Sequence, residues 1–571
     1  MEYYPEYRVH GDTPAERVGI YIAGGDIPAN SHLTGIFEVL GSEQYNIIGT
    51  NGTNNIILKN NRALHGDTVS YVLEESGAVV QNVCSRKITT LSGTLLAGQT
   101  RIIGFTRKRL PIYTFIPANW QYPPFYVASA TTSKTNLYAS IKFSEWKTTQ
   151  LNPHGILVEI FGSVDDEEAG VQMLLRKHQI FTKSYSKITS PTNSDSSNRI
   201  DLSDAPVVSI DPEGCRDIDD AFHLSEDGDI YVHIADVDAE FPRDGLYENE
   251  LLKRLTSIYT PRKTYHMLPE TYATNTCSLL PNTVRRALSA KFVFENGQIC
   301  RREFLLTNIV NKKALTYEEA DKMFGSPSAI MLDNICELLA VSKNSHALVE
   351  RLMIMTNQFA AEYIEGMFCR THCLTMPCDN GNVVRNPQLD RYLRFRHERQ
   401  ATYETKDSTM NDQDLRHDGL GLRLYTHFTS PIRRYADIIV HRMVKDRILK
   451  KEHQCSNLQE ITQRLNNYQR QVKKFYRELN LLTLISKVND DGGTLNTYGY
   501  PIEYKNGKIH VYLPEFNMEY KYPLETDIPT LYVSAGIVGV SPPTPTNIVL
   551  QSRNDVYRLS QKLIMRVMSS Q

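Results

Sequence analysis

Ser209-Ile-Asp-Pro-Glu-Gly-Cys-Arg-Asp-Ile-Asp-Asp-Ala-Phe222 is the stretch that decides how this chain is read. Four aspartates, Asp211, Asp217, Asp219 and Asp220, fall within ten positions and border apolar residues instead of polar filler. Carboxylates so crowded repel one another unless a hard cation lies among them, and Mg²⁺ takes oxygen ligands of this kind. A solvated acidic loop would not run straight into Ala221-Phe222. A calcium loop of the helix–loop–helix type needs glycine at its sixth position and glutamate at its twelfth. Counted from Asp211, Gly214 is fourth and the twelfth residue is Phe222, so that register fails. Two-metal phosphoryl transfer, by contrast, asks for several carboxylates where cations sit about 4 Å apart.

A second segment, Tyr425-Thr-His-Phe-Thr-Ser-Pro-Ile-Arg-Arg-Tyr-Ala-Asp437, supplies the complementary charge. Thr429 or Ser430 suits a helix N-cap, and Pro431 suits the first helical position, where its missing N–H costs nothing. The spacing then predicts Arg433 and Arg434 in the first turn, where unpaired amides already favour an anion. A guanidinium there grips a phosphate with two hydrogen bonds and neutralises charge developing in the transition state. Acids and arginines together point to metal-dependent cleavage of a phosphodiester.

The bulk properties narrow the class. At 571 residues the chain needs several cores. Its 41% apolar and 22% charged composition is that of an ordinary soluble protein. No uninterrupted apolar run reaches the roughly 18 residues a membrane span requires, and the N-terminus lacks the basic-then-apolar layout of a secretory signal. Nine cysteines at irregular spacing do not form a disulfide framework, so a reducing compartment is expected: the cytoplasm, with the nucleus as the alternative. A net charge of −2 excludes a protein that coats duplex surfaces more readily than one that threads a strand through a locally basic channel.

Short β-type runs separated by Gly, Asn, Pro and Asp fill the first 190 residues, among them 19–22, 35–39, 55–58, 68–72, 93–96, 113–116, 137–141 and 155–160. They predict two small β domains, barrels or sandwiches, at 1–92 and 93–190, with a polar linker at 189–199. Strands and loops continue to about 310, including a hairpin over 221–235 that turns at Asp227-Gly228. Helical periodicity follows, with apolar faces at 438–449 and 457–485, and strands return near 508–513. The expected fold class is therefore multidomain α+β: a catalytic domain over 191–486, flanked by small β-barrels, the last over 487–571.

Two further clusters have competing readings. Residues 390–403 interleave Arg391, Arg394, Arg396 and Arg399 with Tyr392, Phe395 and Tyr403, which suits either a single-strand channel or a solvated amphipathic helix. Cys369, His372, Cys373 and Cys378 match no common zinc-ligand spacing. There is no phosphate-binding glycine loop and no nucleophile elbow.

The ordered motifs Asp211-to-Ala221, His233-Ile-Ala-Asp-Val237 and His427-to-Tyr435 resemble the RNB exoribonuclease family, which includes ribonuclease II, ribonuclease R and the exosome catalytic subunit. Supporting matches run in the same order at 256–259, 267–269, 277–279, 315–320 and 436–442, and the likeness spans about 200–450. Segments 61–69 and 153–162 look like that family's cold-shock-type barrels. The resemblance implies processive 3′→5′ hydrolysis of single-stranded RNA to nucleoside 5′-monophosphates. It assigns Mg²⁺ to the four aspartates, with Asp211 and Asp220 as leading direct ligands. Arg433 matches the family's transition-state arginine, Arg434 is a weaker RNA-binding candidate, and Tyr259 matches the aromatic that stacks near the RNA 3′ end. An oligonucleotide-binding barrel of S1 type is implied at the C-terminus. The chain is expected to act as a monomer or within a larger RNA-decay complex. Two rival readings are an RNA-binding relative of weak activity and a phosphodiesterase acting on DNA or small nucleotides.

Overall fold

The computed structural model describes residues 33–41, 44–50, 54–59, 61–74, 77–88, 90–98, 102–185, 198–240, 246–374, 387–396, 400–406, 412–451, 457–505, 508–523, 546–553 and 556–567. The strand expected at 19–22, most of the 189–199 linker, Cys378 and Arg399 lie outside them. The chain divides into two compact units: 1–180 with 379–393 and 472–571, and 181–378 with 394–471.

The first unit is built from three β-sheets, two of which close into barrels. Strands Leu33–Val39, Tyr45–Gly49, Asn54–Lys59, Thr68–Glu74 and Gly77–Ser85 close a five-stranded barrel. Alternate residues such as Phe37, Val69 and Tyr71 point into its core, as period-two patterning requires. A second sheet of six strands, 91–163, closes on itself where Leu91–Leu95 pairs with Pro111–Pro117. It is followed by helix Glu167–Lys177, capped by the Asp166 carboxylate. Glu478 accepts from Lys177 Nζ (2.8 Å) and His178 Nε2 (3.0 Å), fixing that helix to residues 472–490. The C-terminal sheet holds five strands, Thr494–Lys505, Lys508–Leu513, Met518–Pro523, Thr546–Ser552 and Leu563–Val567. The helix expected over 457–485 runs on as Leu458–Asp490, past the anticipated boundary at 486.

The second unit carries a seven-stranded mixed sheet. Its strands are β1 (Ile200–Leu202), β2 (Val208–Asp211), β3 (Asp220–Leu224), β4 (Ile230–Ala235), β5 (Val284–Glu295), β6 (Gln298–Val310) and β7 (Lys313–Thr316), in the spatial order β1-β6-β5-β4-β3-β2-β7. The expected hairpin is β3–β4, turning at Gly228 with φ +83°. Helices α1 (Ser345–Tyr363) and α2 (Tyr435–Ile448) cover the sheet. Phe304 of β6 stacks on Phe359 of α1 at 4.3 Å, and Phe428, just before α2, lies 5.1 Å from Phe304. Each buried ring contributes roughly 1.5–3 kcal/mol of hydrophobic stabilisation, and together they fix where the 425–434 segment crosses the sheet.

A buried polar chain threads the same sheet. His223 Nδ1 meets His233 Nε2 at 2.8 Å, His233 Nδ1 meets Ser289 Oγ at 2.7 Å, and Ser289 meets Thr307 Oγ1 at 2.7 Å. Burial lowers His223 to about 4 and, with His223 alongside, holds His233 well below its ordinary value. Unfolded histidine titrates near 6.5. Between that value and about 4 the unfolded chain therefore binds protons that the native pair refuses, and this contribution to stability is lost as pH falls through the window. Side-chain NMR at pH 5.5 is expected to show both rings neutral; midpoints near 6.5 would contradict the burial.

Candidate active site

Asp211 closes β2 and Asp220 opens β3. The two strands are antiparallel neighbours with Val208 opposite Phe222, so the intervening loop returns the chain to the edge it left. Gly214 makes the turn at φ +75°. The loop is then anchored at buried Ile218, whose N–H donates to Ser278 Oγ (3.0 Å) and whose carbonyl accepts from Leu279 N–H (3.0 Å). Asp217 and Asp219 flank that anchor. On the other side of β2, Thr316 of β7 pairs with Asp211 and starts helix Tyr317–Met323 through a capping box with Glu319.

Arg433 comes to this edge from more than 200 positions away. Its Nε donates to Asp219 Oδ2 at 2.9 Å, and its Nη2 donates to Ser430 Oγ at 2.8 Å. Asp219 Oδ1 also accepts the Ile432 N–H at 2.8 Å. With 43% of its side chain exposed, the guanidinium remains open to a ligand. Tyr259, on a short hairpin of Ile258–Tyr259 with Thr264–Tyr265, donates its hydroxyl to Asp217 Oδ2 at 2.9 Å and leaves 40% of its surface exposed. Thus Asp211, Asp217, Asp219, Asp220, Arg433 and Tyr259 share one site. Arg434 turns instead to Asp437, 2.8 Å away.

The helix start differs from the sequence expectation. Residues 431–433 form a turn, Arg434 forms a bridge, and α2 begins only at Tyr435, so neither arginine sits in a first helical turn. The reason is tertiary. Arg434 is extended, at φ −136° and ψ 125°, and bridges to Thr256. Arg433 O accepts from Ser257 N–H (3.0 Å) and Thr256 Oγ1 (2.8 Å). Strand-like pairing with 256–257 overrides the Ser-Pro capping signal, and it joins the segment bearing Tyr259 to the one bearing Arg433.

The electrostatics are those of acids forced together. Burial pushes Asp211 up to about 6, with Asp217 adding to the shift, and raises Asp219 to about 7 although Arg433 pulls the other way. Asp220 is held well above its ordinary value by burial and by the charges of Asp211 and Asp219. Among the described residues, no group of three or more His, Cys, Asp and Glu side chains is arranged to hold a metal ion. Asp219 spends both oxygens on Ile432 and Arg433. The donor chemistry nonetheless fits a hard cation. Asp211 Oδ2 is buried without a hydrogen-bond partner, and a divalent ion is the charge that would bring these carboxyls back to their ionised form.

Sequence reasoning gave no role to the charged network behind the site. Asp236 pairs with Arg199 (2.6 Å) and Lys445 (3.1 Å). Arg442 reaches Asp238 (2.8 Å) and grips Glu248 through both terminal nitrogens (3.0 and 2.8 Å), and Tyr435 also bonds Glu248. Burial would raise Asp236, but Lys445 and Arg199 outweigh it and hold the carboxyl below its usual range. The network ties α2, which directly follows Arg433, to the end of β4. The visible signal was two aspartates, Asp236 and Asp238, in an otherwise apolar run.

Two described rings of the 390–403 run pack within the protein. Tyr403 is fully buried, and Tyr392 packs on Tyr512, so neither ring is open to a base. Of the cysteine cluster, Cys369 is buried, Cys373 is exposed, and His372 Nδ1 accepts from Gly419 N–H at 3.1 Å.

Comparison with known proteins agrees with this architecture. Residues 199–344 and 331–450 match the RNB domain, and 108–179 match the Dis3-like cold-shock domain 2. The chain is 25% identical to Exosome complex exonuclease RRP44 of Mus musculus, across 86% of this chain and 66% of that protein. It is 27% identical to Ribonuclease R of Aquifex aeolicus, across 53% and 55%. Among the exosome relatives the chain spans from 41% to 66% of their length. Mycoplasma genitalium RNase R, solved with ribose-methylated single-stranded RNA, shares the fold at a TM-score of 0.73 and 17% identity, over 94% of this chain and all of that one. With its RNB domain and its Dis3-like cold-shock barrel, the chain belongs to the RNB family.

Proposed function

We propose that the chain is a processive 3′→5′ exoribonuclease that hydrolyses single-stranded RNA to nucleoside 5′-monophosphates. The observation that carries this reading is Arg433, clamped 2.9 Å from Asp219 beside the Asp211–Asp220 cluster with its guanidinium still open. Asp211 and Asp220, with Asp217 and Asp219 beside them, would hold Mg²⁺. When bound, the ion supplies water activation and neutralises the leaving oxygen. Arg433 offers fixed positive charge to the phosphoryl oxygens as negative charge builds on them, at no cost in reorganisation because Asp219 and Ser430 already orient it. Tyr259 presents its ring next to Asp217, where the terminal bases of a 3′ end can stack.

Single-stranded RNA is thus the partner. A reducing intracellular setting, and action as a monomer or within an RNA-decay complex, complete the proposal. RNA binding without cleavage is a second reading, suggested by yeast Ssd1, described as a pseudonuclease, which shares the fold at a TM-score of 0.61. Retention of the four acids and Arg433 favours the enzyme.

Incubated with Mg²⁺, the protein should shorten 5′-labelled oligo(A) stepwise to a few nucleotides, and leave single-stranded DNA and chelated reactions intact. Full-length RNA after prolonged incubation, with RNA binding preserved, would select the second reading. Replacing Tyr259 by Ala is expected to lengthen the end product by one or more nucleotides, because the terminal bases lose their stacking partner. An unchanged product ladder removes that role.

A further inference from the structure

The C-terminal sheet has an aromatic outer face that the chain covers with its own helix. A Cβ on Gly499 would meet the side chains of Ile548, Val511 and Leu513 at 2.5–3.0 Å, so those residues line the inner face of the sheet. Side chains alternate across a strand, so His510 and Tyr512 point outward, as do Tyr498 and Tyr500 on the neighbouring strand. Tyr500 and Tyr512 are direct cross-strand partners, and Tyr498 stands 6.2 Å from Tyr500 in an edge-on arrangement. An outward face of a small antiparallel sheet is normally solvated. Here Tyr500, Tyr512 and His510 are nonetheless buried, while Tyr498 at the margin keeps 41% exposure.

Tyr500 and Tyr512 are covered by helix Pro387–Arg396. Leu389 is fully buried against Tyr500 and Tyr512, joined by Tyr392, Leu393 and Ile502. The Tyr392 ring lies on the Tyr512 ring at 4.3 Å and 14°, a parallel stack of the kind a nucleobase makes. Its hydroxyl bonds Glu519, whose other oxygen meets His510 Nδ1 at 2.6 Å. Paired outward rings on adjacent strands of a small antiparallel sheet make a stacking platform for unpaired bases.

We propose that Tyr392 occupies the place of a base, making helix 387–393 an autoinhibitory cap on this platform that single-stranded RNA must displace. The cap is suited to exchange. Its contacts include one ring stack, two leucines and a hydroxyl hydrogen bond, and Tyr498 offers an incoming base a foothold beside it. The inference rests on the reading of single-stranded RNA as substrate, but its test involves no turnover.

Full-length protein with metal chelated is irradiated with a 4-thiouridine 12-mer, and the adducts are mapped by mass spectrometry. Tyr392→Ala should raise cross-linking to peptides from 494–513 by about fivefold or more, since one base–ring stack supports a change of that size. Adding Tyr512→Ala should return the yield to the wild-type level. Equal yields in wild type and Tyr392→Ala would overturn the cap. Wild-type protein provides a check that needs no variant: saturating 12-mer should speed hydrogen exchange at amides 387–393, and unchanged or slower exchange there would also overturn it. A protein that degrades RNA yet gives no gain on Tyr392→Ala rejects the cap alone. A gain without any degradation in the Mg²⁺ assay rejects the exonuclease reading alone.

Discussion

Arg433→Lys should lower the rate of RNA hydrolysis by roughly 10²–10³ while leaving the unfolding midpoint in place, on the scale seen when one preorganised charge donor is removed. Lysine keeps the charge beside Asp219 but loses the planar fork. In the native site the Nε donates to Asp219 at 2.9 Å and Nη2 donates to Ser430 at 2.8 Å, which orients the remaining donors toward a ligand. An ammonium can satisfy Asp219 or reach a phosphoryl oxygen, but it cannot be held for both. Single-turnover kinetics on 5′-labelled RNA, with binding measured separately, should assign the loss to the chemical step. A loss confined to RNA affinity would make Arg433 a binding residue only.

The second large effect is on stability. Arg442→Ala leaves Asp238 and Glu248 without the guanidinium that bridges them. Breaking a buried ion pair by removing one partner typically costs about 3–5 kcal/mol, because the surviving charge stays desolvated. Urea unfolding should show the unfolding free energy lowered by that amount. Arg447→Ala, on the same helix, is the matched control. Its bridge to Glu365 lies at the surface, where such pairs contribute about 0–1 kcal/mol. Similar shifts for both variants would show that the Arg442 network does not brace α2.

The site was more legible in sequence than its scaffold, for physical reasons. Four aspartates in ten positions are costly without a cation, so their chemistry shows in composition alone, and the structure does place Arg433 against them. The strand at 508–513 and the hairpin at Gly228 were readable because alternation and turn chemistry are local. The start of α2 was not, since the bridge between Thr256 and Arg434 joins residues far apart in sequence. Nor was the covering of Tyr512 by Tyr392, because an amphipathic helix does not reveal which surface its apolar side will meet. The pairing of Asp219 with Arg433 was equally invisible, since it joins residues more than 200 positions apart.

The most direct measurement is Mg²⁺-dependent release of 5′-monophosphates from 5′-labelled single-stranded RNA by wild type and by Asp211→Asn, whose wild-type Oδ2 lies buried without a hydrogen-bond partner. The expected result is stepwise shortening by wild type, and RNA bound but uncut by the variant. Equal cleavage by the two proteins would contradict the assignment of the aspartate cluster as the catalytic centre.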